Sequence, residues 1–177
     1  PCNDVAFKKV FGDQQRPEAL VEFLNSVLEL DHPIQRIEII DPKQPPVIKD
    51  LKGTILDIQA YDGTRKFIVE MQLQNESWFA KRVVYYTANA YASQLRDGDN
   101  YKALKPVIFL GVMDFAMFPT GDNPISRHLI FDQKTHDHTL KDIEFNFIEL
   151  PKFNKTEDQL ETLTDQWLFF LNWVHWK

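Results

Sequence analysis

Apolar positions change their spacing several times along the chain, and each change marks an element. Phe7, Val10 and Phe11 recur at helical spacing behind Asp4, a suitable N-cap, and Gly12 ends the run, which predicts a short helix over 4–11. Pro17 opens a second helix with Leu20, Phe23, Leu24, Val27 and Leu28 on one face. Strand-like segments follow over Ile34 to Ile40, Thr54 to Tyr61 and Lys66 to Leu73, with Pro42, Pro45 and Pro46 marking the loop after the first. Asp62-Gly63 is a hairpin turn signal between the last two. Helical spacing returns over 78–95, where Phe79, Val83, Tyr86, Ala90, Tyr91 and Leu95 make a stripe behind a cap at Asn75 or Ser77. The nearly continuous apolar run from Pro106 to Val112 suits a buried strand beside the hairpin.

Further on, Phe115 to Asn123 reads as loop, and Arg127 to Phe131 and Ile143 to Leu150 alternate like strands. Asn154 to Glu157 offers the start of a helix whose stripe is Leu160, Leu163, Trp167, Phe170, Leu171 and Val174. The expectation is one α/β domain over 1–177: a helix, three-strand meander, helix and strand core over about 3–115, then a strand/helix extension over about 116–177. Trp167, Trp173 and Trp176 make the tail suit either a core helix or a homo-oligomer surface.

The chemistry concentrates in the hairpin. Glu70 stands in an apolar strand, where an acid is costly to bury unless it is paired or binds a metal. Glu70 and Gln72 share one face, about 6.5–7 Å apart, while Val69, Met71 and Leu73 take the other. A four-residue loop, Asp62 to Arg65, sets Asp57 directly opposite Glu70; a two-residue turn makes the pair diagonal neighbours. Either register brings two like charges together, which calls for compensation. A divalent cation such as Mg²⁺ provides it through carboxylates, waters and substrate phosphate. A salt bridge to Lys66, Arg82 or another base provides it as well, and spacing leaves the two open.

Asp57 followed by Glu70-Met71-Gln72 resembles the PD-(D/E)XK nuclease pattern, with Gln72 in place of its lysine. Asn3 to Gly12, Leu56 to Gln59, Val69 to Gln72, Arg82 to Tyr86 through Tyr91 to Leu95, and Tyr101 to Ile108 together resemble its recombination-promoting nuclease (Rpn) branch, also called PD-(D/E)XK nuclease family transposases. The resemblance implies a restriction-endonuclease-like fold: a mixed central sheet flanked by helices. It implies a metal-dependent DNA endonuclease linked to mobile elements and recombination, with Mg²⁺, or Mn²⁺, as cofactor and DNA as partner. Asp57, Glu70 and Gln72 are then the catalytic residues. Asp57, Glu70, the backbone carbonyl of Met71 and, by the opening motif, Asp4 are the metal ligands, while Lys8, Lys9 and Arg82 meet phosphate. The alternative is a nuclease fold with weak or no turnover, kept for nucleic-acid binding or oligomerisation, since Gln72 lacks an amine's proton chemistry.

Composition narrows this a little. The 177 residues are 44% apolar with 14 Phe and 4 Trp, enough for a sizeable core. One Cys excludes an intrachain disulfide and a thiolate zinc cluster, and a cytoplasmic setting is expected. No apolar run is long enough for a membrane span. The start at Pro1-Cys2 without Met reads as a fragment, and the resemblance implies a further C-terminal region. The net charge of −6 is unevenly placed: residues 1–110 carry 14 Lys/Arg against 15 Asp/Glu, residues 111–177 only 6 against 11. The expectation is therefore salt-sensitive, weak DNA binding. His136 and His138, with Asp132 nearby, offer a competing zinc pair, but no third ligand has a recognisable spacing and the segment reads as a polar turn.

Overall fold

Alternate residues of one strand, β5 (Lys66–Gln72), feed two different cores: Phe67, Val69 and Met71 enter the first and Ile68 the second. In the computed structural model, which describes residues 2–44 and 54–175 and the side chains of 5–43 and 55–173, this strand is central to a mixed six-stranded sheet. The other strands are β1 (Glu38–Ile40), β4 (Ile58–Tyr61), β6 (Val107–Met113), β7 (Ile125–His128) and β8 (Ile143–Glu149). The order is β1-β4-β5-β6-β8-β7; β5, β6 and β8 run parallel and the remaining pairings are antiparallel. Two short strands, β2 (Lys43–Gln44) and β3 (Thr54–Ile55), pair separately.

One face of the sheet is covered by α1 (Cys2–Phe11), α2 (Glu18–Val27) and α4 (Leu163–His175). Leu20, Phe23, Leu24 and Phe11 are almost fully buried there, each worth roughly 1.5–3 kcal/mol. The helix α3 (Phe79–Ala92) crosses over from β5 to β6 and lays Phe79, Val83 and Ala90 on the opposite face. Thus an α/β fold with a mixed sheet and flanking helices is present, and the strand beside the hairpin is β6.

Several boundaries differ from the sequence expectation for local reasons. Only Glu38–Ile40 of the 34–40 segment is strand, because Asn25 grips the backbone of Ile34 through both N–H and C=O, at 2.7 and 2.9 Å, and holds it against α2. The 54–61 segment breaks at Leu56–Asp57, its first part leaving the sheet to pair with β2. Neither Asn75 nor Ser77 caps α3: Trp78 occupies the N-cap without a side-chain bond. That helix stops before Leu95, where Gln94 clamps the backbone of Lys105. β7 ends at His128 instead of reaching Phe131, as Asp132 gathers the backbone N–H groups of Lys134 and Thr135 into a turn. α4 begins later than Glu157: Thr156 opens only a 3₁₀ turn, while Thr162 and Asp165 exchange the bonds of a capping box. Trp167 packs against Phe11 and Phe23, ring centroids 5.3 and 5.6 Å away, so this part of the aromatic tail is core. Trp173 is half exposed; Trp176 lies outside the described residues.

Candidate active site

The four-residue loop Asp62–Arg65 joins β4 to β5, Tyr61 pairs with Lys66, and Ile58 pairs with Val69. Asp57, one residue before β4, therefore falls opposite Glu70. Asp62 dictates this loop: its carboxylate accepts from the backbone of Thr64 and Arg65 and from the Arg65 guanidinium. Burial raises its pKa, but those donors outweigh it and hold the carboxyl below its usual range.

The two acids bond each other's strands. The Asp57 N–H donates to Glu70 Oε1 at 2.8 Å, and the Met71 N–H donates to Asp57 Oδ2 at 2.9 Å. Because a strand residue's N–H and C=O point the same way, the Met71 carbonyl is directed to the same edge. Glu70 is only 6% exposed. Burial and the Asp57 charge push its pKa up to about 8, against the pull of the Asp57 N–H, Arg82 and Lys8. From α1, the Lys8 ammonium reaches Asp57 Oδ1 at 2.8 Å. A positive charge thus already sits on Asp57, while burial first and the Asp57 charge second favour the protonated form of Glu70.

Gln72, beside Glu70 on the same face, has its amide engaged at both ends. Its Oε1 accepts from Arg82, and its Nε2 donates to the Gln74 carbonyl at 2.7 Å. Arg82 lies among three rings, its Cζ 5.0 Å from Trp78, 5.2 Å from Phe79 and 5.7 Å from Tyr86. Burial raises the Tyr86 pKa; the charge of Arg82 opposes this and those of Glu70 and Asp57 add to it, which places the phenol at the same centre.

The structure therefore gathers Asp57, Glu70, Met71, Gln72, Lys8 and Arg82. Lys9 follows Lys8 in the last turn of α1. Asp4 lies in α1, but its side chain is outside those described. Gln94 is spent on Lys105 and is not part of the cluster. Asp132 and Asp137 serve the 132–137 turn, Asp137 accepting from Thr135 Oγ1 at 2.7 Å. Sequence reading gave Lys8 to phosphate and missed its contact with Asp57, since nothing local ties residue 8 to residue 57. It also missed Trp78, although Trp78 and Arg82 stand at i, i+4.

Hard oxygen donors from two converging carboxylates suit Mg²⁺, which takes one or two carboxylates and fills the rest of its shell with water and phosphate. Among the described residues no three His, Cys, Asp or Glu side chains gather as a closed metal cage. A cleft of about 870 Å³ lies at the other end of the strands, but its Arg65 and Arg127 are tied to Asp62 and Glu144. No helix among the described residues is long and apolar enough to cross a membrane.

Comparisons with curated proteins and with solved structures returned no match. Comparison with protein families matched PD-(D/E)XK nuclease family transposase over residues 1–175. The mixed six-stranded sheet with flanking helices agrees with that match, which carries a nuclease-type, hydrolytic function. The chain belongs to the PD-(D/E)XK nuclease family transposases.

Proposed function

We propose that this chain is a metal-dependent DNA endonuclease, hydrolysing phosphodiester bonds in the course of transposition or recombination. The observation that supports this most is the reciprocal bonding of Asp57 and Glu70 to each other's strands, which brings two carboxylates together with Glu70 almost fully buried. Asp57, Glu70 and the Met71 carbonyl would hold Mg²⁺, or Mn²⁺ in its place, with Asp4 as a further acid from α1. Such a cation, when bound, stabilises charge on the phosphate and lowers the pKa of an attacking water. With Asp57 engaged by a cation, Lys8 would be available to a substrate phosphate, and Lys9 extends the same basic turn. Arg82, steadied by its rings and by Gln72, holds a second phosphate oxygen. Gln72 Nε2 carries one hydrogen more than its contact with Gln74 uses, and this hydrogen orients water or phosphate without transferring a proton.

Nicking of supercoiled plasmid tests the proposal. Cleavage is expected with Mg²⁺ and abolished by EDTA. D57N and E70Q are each expected to lower it at least about 100-fold, the scale of losing a key electrostatic group. Cleavage by both variants at the parental rate would remove the assignment. The engagement of Gln72 at both ends favours one second reading, a binding module of the same fold without turnover; binding without nicking would select it.

A further inference from the structure

The acid pair accounts for one side of Arg82 and leaves the other unexplained. Trp78, Lys81, Arg82 and Tyr85 follow at i, i+3, i+4 and i+7, and so share one side of α3. The core-facing side is a different set, Phe79, Val83 and Ala90. Trp78 is 49% exposed and Tyr85 38%, although large aromatic rings usually gain most by burial. Two cations stand between the two rings, and the first turn of the helix holds no acid. Lys81 and Arg82 thus put two positive charges on this side of the helix in a chain of net charge −6. Trp78 to Tyr85 spans about 10 Å along the helix. The stripe also meets the acid cluster, because the Arg82 guanidinium touches both the Trp78 ring and Gln72.

Rings alternating with cations match a ligand that alternates flat faces with phosphates. Base faces inside a duplex are covered by their neighbours, whereas unpaired bases offer theirs to aromatic side chains. An acidic peptide would use the cations and leave the rings idle. We propose that the outer stripe of α3 is a track for a single strand of nucleic acid, with bases on Trp78 and Tyr85 and phosphates on Lys81 and Arg82. The substrate class follows: unpaired strands, frayed ends or the melted segments of supercoiled DNA. This rests on reading the adjacent acids as a nuclease site, because Arg82 then passes the strand to Asp57 and Glu70.

Fluorescence anisotropy on the E70Q full chain with Mg²⁺ separates binding from cleavage. The probes are a labelled 15-mer of thymidine, a 15-mer of uridine and a blunt hairpin duplex. Either single strand is expected to bind more tightly than the duplex. Adding Trp78→Ala should weaken single-strand binding about 5- to 100-fold, while Trp78→Phe keeps most of it. Lys81→Ala should lower the magnitude of the salt slope by about 0.7. Circular dichroism checks that the half-exposed Trp78 can be replaced without unfolding. Equal single-strand affinity with Trp78→Ala, or tighter binding of the duplex, would overturn the proposal. A parent that binds strands through Trp78 but never nicks plasmid removes the nuclease reading alone. A parent that nicks, with strand binding indifferent to Trp78, removes only the track.

Discussion

At Glu70, burial and charge meet in a measurable way. Its pKa is about 8 in the folded protein against 4.5 for the unperturbed group, so the folded state keeps a proton that the unfolded chain has released between those values. The native state binds more protons in that window, and stability therefore falls as pH rises from about 4.5 to about 8. The loss is on the order of a few kcal/mol. His128, whose pKa burial lowers, contributes with the opposite sign below its ordinary value, so the useful quantity is the difference between the parent and E70Q. Metal-free parent should lose melting temperature relative to E70Q between pH 5 and pH 8, and Mg²⁺ should restore more of it at pH 8 than at pH 5. A parallel pair of pH profiles would show that Glu70 carries no such strain. Gln is the right substitution here, and Asn at Asp57, because each keeps an acceptor for the backbone N–H that the acid serves; alanine would mix lost chemistry with an unsatisfied buried donor. The acids were legible from the sequence because an isolated Glu in an apolar strand admits few explanations. Lys8 was legible as a cation only, since its meeting with Asp57 depends on how α1 docks.

Register at the hairpin is set by one residue of the turn. Asp62 collects two backbone N–H groups, a hydroxyl and a guanidinium, and Gly63 takes a φ of +94° within the same loop. Asp62→Ala strips these contacts and is expected to cost about 2 kcal/mol or more in urea denaturation. It should also reduce nicking beyond what that stability loss explains, because a loop of odd length would turn Asp57 to the other face. Unchanged nicking would show that the flanking strands hold the register without the turn. The alternation of β5 and the Asp-Gly signal make this hairpin legible in the sequence, although two loop lengths fit it and only the Asp62 contacts select the four-residue one. Elements defined by distant contacts were not readable. Residues 34–37 have a strand's composition but are held as loop by Asn25, and 129–131 are drawn out of β7 by the Asp132 turn.

For the molecule as a whole, the site depends on parts far from it in sequence. α1 supplies Lys8 and rests on α2 and α4 through Phe7, Phe11, Phe23 and Trp167. Leu168, 2% exposed, belongs to the same core, and Leu168→Ala should cost about 3 kcal/mol in chemical denaturation. A cost under about 1 kcal/mol would mean that α4 is a loosely held appendage. The composition of the tail did not distinguish core from interface, since a helix lined with Trp and Phe serves both; only the ring contacts of Trp167 decide it. The joining of the first helix to the last carries a consequence for the timing of biosynthesis. A growing chain on the ribosome makes both acids long before the residues of α4 that steady α1. The Lys8–Asp57 contact is therefore expected to settle only once residues 163–175 have emerged and packed against α1.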